Sequence, residues 1–187
     1  MTVIIAIERN GVVYMGADSC VSCGKRKETL KTEDFVKIQV MSNGLLLGVA
    51  GPSAGKQLLL SHKEELFSFA DNKLSKDGII KEFLPAIIEL YDKEKMLDED
   101  GYLPNSILLA KDGDLFVVHS TKETYRVTSY AIGSGTIGGL SILEEGQGSV
   151  ENRILDGMRL ASKMETGVCA PYILVNTKER KIQEVKE

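Results

Sequence analysis

The sequence predicts an α/β (α+β) chain in which helices cover largely antiparallel sheet. Two observations carry this. Turn dipeptides stand between apolar runs at Asn10-Gly11, Asn43-Gly44 and Asp112-Gly113, and a tight hairpin turn needs the positive φ that Asn, Asp and Gly adopt most cheaply. In two separate places the apolar pattern also changes to the i, i+3, i+4, i+7 spacing of a helix face. Helix pairs that interrupt antiparallel strands twice would cover two sheet faces, giving a layered sandwich.

In order along the chain, Thr2 to Ile7, Val12 to Ala17, Val36 to Met41 and Leu45 to Ala50 are rich in Val, Ile and Leu and bounded by turn residues, which predicts four strands. A helix is expected from about Ser53, with Leu59, Leu66, Phe67 and Phe69 on its apolar side, and a second through Ile80, Phe83, Leu84, Ile87, Ile88 and Tyr91. Pro85 should kink the second or mark its start, because it removes a backbone donor. Asp98 to Gly101 with Pro104 forms an acidic loop. Ile107 to Ala110 and Leu115 to His119 make the third hairpin, and Tyr130 to Ile132 a further strand. Ser134 to Leu143 and Ser149 to Lys163 are read as another helix pair. Ser149 is suited to cap the second of these, with Glu151 favourably placed in its first turn. Tyr172 to Asn176 and Ile182 to Val185 close the chain as strands.

With 187 residues the chain is expected to form one domain spanning 1–187 with a sizeable core. Its 23 basic and 27 acidic residues leave a net charge of −4, unlike the basic footprint of a nucleic-acid binder. A hydrophobic content of 43% separates it from disordered chains. The apolar runs are far shorter than the roughly 20 residues a membrane helix requires, and no secretory signal pattern opens the chain. Three cysteines, Cys20, Cys23 and Cys169, leave one over in any intramolecular pairing. That suits reduced thiols and a cytoplasmic location.

Four segments invite a chemical reading. Ala50 to Gln57 follows a strand and precedes a helix as a phosphate-binding loop would, but Ala50 replaces the first glycine and Gln57 the magnesium-binding hydroxyl. A plain helix start, with Pro52 in its first turn and Lys56 in solvent, accounts for it as well. Cys20-x-x-Cys23 lacks further ligands at zinc spacing, and no metal site is expected. His62 and His119 are isolated, and no GxSxG elbow accompanies them. The fourth is Thr2. If Met1 is removed, its α-amine, with a pKa near 7.7 to 8.0, can take the proton from its own hydroxyl.

The pattern around Thr2 sharpens this reading. Thr2-Val-Ile-Ile-Ala-Ile, Gly11-Val-Val-Tyr-Met-Gly-Ala-Asp18-Ser19, Lys37-Ile38, Gly48-Val-Ala-Gly51 and Ala131-Ile-Gly-Ser134-Gly135 resemble, in order, proteasome core β-subunits and the bacterial HslV peptidase. The resemblance runs from residue 2 to about 143 and implies the N-terminal nucleophile hydrolase fold, a four-layer αββα sandwich. It implies a threonine endopeptidase that needs no cofactor, with Thr2 as nucleophile and base after loss of Met1 or a short leader. Asp18 would orient Lys37, whose positive charge would lower the pKa of the α-amine. Gly51 would donate its N–H to the oxyanion, and Ser134 would support the amine. A structural ion pair is the alternative for Asp18 and Lys37, a turn glycine for Gly51 and a helix cap for Ser134. Val21, Ser22, Phe35, Val49 and Ser53 would line the pocket for the residue before the cut, which implies apolar side chains there.

The chain departs from the family pattern in two places. The spacing between Gly24 and Lys37 is longer, with Lys25 to Glu28 inserted and Lys31 a competing lysine. Lys163 stands where the family often has an aspartate. A homo-oligomeric ring or double ring, an ATPase unfoldase ring as partner, and peptide or unfolded-protein substrates are implied, with no nucleic acid or membrane. The alternative is a catalytically inactive, ring-forming homologue, the state that a retained Met1 would impose.

Overall fold

The computed structural model describes residues 1–23, 26–29, 37–145 and 147–186, with side chains described outside 22–36 and 143–146. Its first strands are β1 (Ile4–Arg9), β2 (Val12–Asp18), β3 (Cys20–Cys23), β4 (Arg26–Thr29), β5 (Ile38–Val40) and β6 (Leu46–Ala50). The first helical layer is α1 (Ser53–Ser61), α2 (Lys63–Leu66), α3 (Lys76–Gly78) and α4 (Leu84–Lys93), the last two joined by a π-helical turn, Ile79–Phe83. Then come β7 (Ser106–Lys111), β8 (Asp114–Val118), β9 (Thr124–Arg126) and β10 (Ser129–Ile132), followed by α5 (Thr136–Glu145) and α6 (Val150–Met164). The strands β11 (Tyr172–Asn176) and β12 (Gln183–Val185) complete the order.

Two five-stranded sheets result, ordered β10-β1-β2-β11-β12 and β5-β6-β7-β8-β9, with the β3-β4 hairpin apart from them. Every described pairing is antiparallel. The two-residue strand period explains the layering. Ile4 and Ala6 of β1, and Val13, Met15 and Ala17 of β2, meet Leu46, Leu108, Ala110 and Val117 of the second sheet in a core between the sheets. The alternate residues Ile5 and Ile7 face Ile154, Met158 and Ala161 of α6. On the other side Leu47, Val49, Ile107 and Leu109 pack with Leu59, Phe67, Phe83, Ile87 and Tyr91. The central strands are thus apolar on both faces because helices cover each sheet, and the layers are helix, sheet, sheet, helix.

Several expectations shift in detail. α5 begins at Thr136, so Ser134 does not cap it. Ser149 does cap α6, its Oγ accepting from the Asn152 N–H at 3.2 Å. The first helix breaks at His62 into α1 and α2. Pro85 is the second residue of α4, directly after the π-helical turn, so its missing N–H falls inside a continuous helical stretch. The π-helical turn ahead of it holds an extra residue and rotates the buried face, so Ile79 is buried and Ile80 is 45% exposed. The charged stretch after Cys23 supplies β4, which its composition hid.

The reduced-thiol expectation is corrected: Cys20 and Cys169 form a disulfide, their Cα atoms 5.1 Å apart. The Ser19 N–H donates to the Cys169 carbonyl at 3.3 Å, bringing the β2–β3 junction against the segment before β11. The disulfide removes the cysteine argument for a reducing compartment. No helix among the described residues is long and apolar enough to cross a membrane.

Candidate active site

β1 lies between β2 and β10, with Ile4 opposite Ala17 on one side and Ile132 on the other. This register brings the residue that ends β2, Asp18, and the residues that follow β10 to either side of Thr2 and Val3. Asp18 N–H donates to the Val3 carbonyl at 3.3 Å and Gly135 N–H to the Thr2 carbonyl at 3.1 Å. Gly133 closes the approach: its φ is +99° and a Cβ there would collide with the Thr2 carbonyl.

Asp18 is fully buried. Its Oδ1 accepts from the Val3 N–H at 2.8 Å and from Lys37 Nζ at 2.7 Å, and its Oδ2 accepts from the Cys20 N–H at 3.1 Å. Three donors therefore fix the carboxylate. Lys37 leads into β5, with its carbonyl held by the Val49 N–H at 3.1 Å. Burial pushes its ammonium below the ordinary lysine pKa of 10.5, and the Asp18 charge and hydrogen bond offset part of that push. Nζ also donates to the Met1 carbonyl at 3.2 Å, and Thr2 Oγ1 donates to the same oxygen at 2.8 Å. The Thr2 N–H donates to Ser134 Oγ at 3.2 Å. Thr2, Asp18, Lys37 and Ser134 thus form one hydrogen-bonded group.

Two cavities meet at this group. One, of about 350 Å³, is bounded by Val21, Lys37, Val49, Ser53 and Lys56; the other, of about 500 Å³, by Ser106, His119, Tyr130 and Ser134. Met1, Thr2 and Gly51 border both. Gly51 leaves β6 at φ +128°, and a Cβ there would stand 2.6 Å from Asn105 Nδ2 and the Pro104 carbonyl. Asn105 braces this turn, its Nδ2 donating to the carbonyls of Ala50 at 3.3 Å and Pro52 at 3.2 Å, while Tyr91 OH donates to its Oδ1 at 3.1 Å.

Of the pocket residues expected from the sequence, Val21, Val49 and Ser53 line the smaller cavity. Ser22 and Phe35 have side chains outside the described set, and the competing Lys31 also lies there. Lys163 is exposed at the end of α6, and Gly167 beyond it lies against the Met1 side chain. Lys56 departs most from expectation: far from standing in solvent, it is 6% exposed and lines the smaller cavity. Its spacing of three from Ser53 on α1, which places both on one helix face, is the sequence signal that could have found it. His119 belongs to the larger cavity, its Nε2 3.3 Å from Tyr130 OH and its ring edge-on to Tyr130 and Tyr125. Among the described residues no three His, Cys, Asp or Glu side chains gather as a metal site.

The chain matches no family model and no curated protein. Among solved structures it is similar to BPH of Thiobacillus denitrificans, with 17% identity, a TM-score of 0.76 and 99% of each chain covered. It is also similar to HslV of Trypanosoma brucei, with 18% identity, a TM-score of 0.66 and coverage of 94% of this chain and 98% of that one. Anbu, an ancestral β-subunit from Yersinia bercovieri, gives 13% identity and a TM-score of 0.73 over 100% of this chain and 87% of that one. These likenesses reach across nearly the whole length, and the chain has the N-terminal nucleophile hydrolase fold shared by the proteasome-like proteins HslV and Anbu.

Proposed function

We propose that this chain is a threonine-type endopeptidase subunit of a cytoplasmic, self-compartmentalised ring, active once Met1 has been removed. The observation that carries the proposal is the convergence on one oxygen, the Met1 carbonyl, of both Thr2 Oγ1 and Lys37 Nζ, at 2.8 and 3.2 Å. A hydroxyl and a buried cation at one point are what nucleophilic attack on a peptide carbonyl requires.

With Met1 gone, the Thr2 nitrogen becomes an amine beside Ser134 Oγ. It takes the proton of its own hydroxyl as Oγ1 attacks the substrate carbonyl. Lys37 stabilises the developing alkoxide and favours the neutral amine; Asp18, held by two backbone N–H groups, keeps the ammonium in place. The Gly51 N–H, at a turn that Asn105 braces, is assigned to the oxyanion of the tetrahedral intermediate. The α-ammonium returns its proton to the leaving amine, and water then hydrolyses the acyl-enzyme with the amine as base again. The two cavities at Thr2 would hold the residues before and after the cut.

A second reading has its own observation. Met1 is well seated, its carbonyl accepting two hydrogen bonds and its side chain lying on Gly167, as suits an inactive ring-forming homologue that keeps Met1. Intact-mass measurement on protein from its native host, with hydrolysis of fluorogenic peptides, separates the two. The peptidase reading expects loss of Met1 and turnover that disappears in Thr2→Ala; a retained Met1 or unchanged turnover in Thr2→Ala refutes it. Ring assembly, with an ATPase ring delivering unfolded chains, completes the proposal. Sedimentation as a monomer would overturn the compartment.

A further inference from the structure

We propose that Asn105 is a positioning residue for the proposed oxyanion donor: its amide aims the Gly51 N–H into the space beside Thr2, and the Tyr91 hydroxyl anchors the far end of that amide. This rests on the peptidase reading above. The Ala50 carbonyl and the Gly51 N–H belong to one planar trans peptide unit, so they point in opposite directions. Asn105 Nδ2 donates to the Ala50 carbonyl at 3.3 Å and to the Pro52 carbonyl at 3.2 Å. Holding the Ala50 oxygen therefore turns the Gly51 N–H away from Asn105. Glycine imposes little of its own on the flanking torsions, so the direction of this N–H needs an outside hold. Gly51 is exposed and borders the larger cavity together with Thr2, whereas Asn105 is 1% exposed and Tyr91 is fully buried. The aim of a surface N–H is thus set from inside the core.

The chemistry of the amide leaves it one orientation. Turned over, Asn105 would set its oxygen against two carbonyl oxygens, and none of the three could donate. As it lies, both amide hydrogens are used, and Oδ1 accepts from Tyr91 OH at 3.1 Å. Burial pushes the Tyr91 phenol above the ordinary tyrosine pKa, so it stays protonated and able to donate. Gly55, buried in α1, completes the fit, because a Cβ there would collide with Asn105 Oδ1. The glycine whose spacing imitates a phosphate-binding loop is thus the room that the Asn105 amide needs.

The test uses the mature chain with Asn105→Leu, which removes both polar groups of the amide, and Tyr91→Phe, which removes only the hydroxyl. With fluorogenic peptides, kcat is expected to fall about 10- to 10²-fold in Asn105→Leu and about 3- to 10-fold in Tyr91→Phe. KM should stay within about twofold, because the oxyanion forms only on the way to the transition state. In a Gly51→Ala background neither substitution should lower kcat much further, since both act through Gly51. Wild-type kcat in either folded variant, a change confined to KM, or losses that multiply with that of Gly51→Ala overturn the proposal. If Asn105→Leu does not fold, Tyr91→Phe decides by the same criteria. If the unaltered mature chain cleaves no peptide, the peptidase reading fails, and crystal structures of that chain and of the folded variants decide the positioning assignment. A rotated Ala50–Gly51 peptide in the variants upholds it, and an unmoved one overturns it.

Discussion

Replacing Asp18 with Asn tests the arrangement at its most buried point. The carboxylate is fully buried and accepts three hydrogen bonds, from Val3 N–H, Cys20 N–H and Lys37 Nζ at 2.8, 3.1 and 2.7 Å. Asn keeps the shape, but its NH2 must face a donor, and the Lys37 ammonium loses its counter-charge. Removing one partner of a buried ion pair costs about 3 to 5 kcal/mol. At roughly 2 to 4 °C per kcal/mol for a chain of this size, the midpoint of thermal unfolding should fall by about 6 to 20 °C. Urea titration with Lys37→Met and the double variant completes the cycle. The double variant should lose clearly less stability than the sum of the singles, because Lys37→Met removes the orphaned charge. A loss below about 1 kcal/mol in Asp18→Asn, or additivity across the cycle, would refute the view that this pair is a tightly coupled buried unit.

Three further outcomes follow. Activity should rise with pH as the Thr2 amine loses its proton, at a pKa that the Lys37 charge holds below the usual 7.7 to 8.0. It should fall again as Lys37 deprotonates, below 10.5; Asp18→Asn should move this alkaline limb lower, since Asp18 is what raises the Lys37 pKa, and a limb unmoved in that variant would exclude Lys37 as its source. Gly51→Ala should cut kcat by about 10²- to 10³-fold, because φ +128° and the 2.6 Å approach to Asn105 and Pro104 force the N–H proposed as oxyanion donor to move; steady-state kinetics showing wild-type kcat would remove Gly51 from the mechanism. Gly16→Ala should destabilise the fold by about 1 to 3 kcal/mol, since its Cβ would collide with Ile154 and lie 2.9 Å from Leu174; chemical denaturation reads this directly.

The layering was legible because helix-period segments interrupt the antiparallel strands twice, and two helix pairs can cover two sheet faces. The hairpins at Asn10-Gly11 and Asp112-Gly113 were legible from turn chemistry alone, and Asn10 and Asp112 do take positive φ, at 54° and 52°. What escaped depends on distant partners. Cys20 and Cys169 are joined across a sequence separation of 149, and no local pattern couples them. Lys56 read as a surface lysine because helix spacing fixes a face but not what packs against it. Ile80 was placed inside by an α-helical period that the π-helical turn breaks. Thr2, Asp18, Lys37 and Ser134 were named together through family resemblance; periodicity could place them at strand ends but not beside one another.

The position of β1, hydrogen-bonded along both edges, also governs when the site comes into being. Thr2 and Ser134 are 132 positions apart, and contacts of such separation form late because the intervening chain must first be closed. During synthesis from the N-terminus, Thr2 therefore emerges long before the residues that hold it. A nascent chain that ends short of β10 carries Thr2 as an ordinary hydroxyl, without the Ser134 hydrogen bond or the Gly135 clasp on its carbonyl. The fold thus acts as a timer, completing the surroundings of Thr2 only once the chain extends past Gly135.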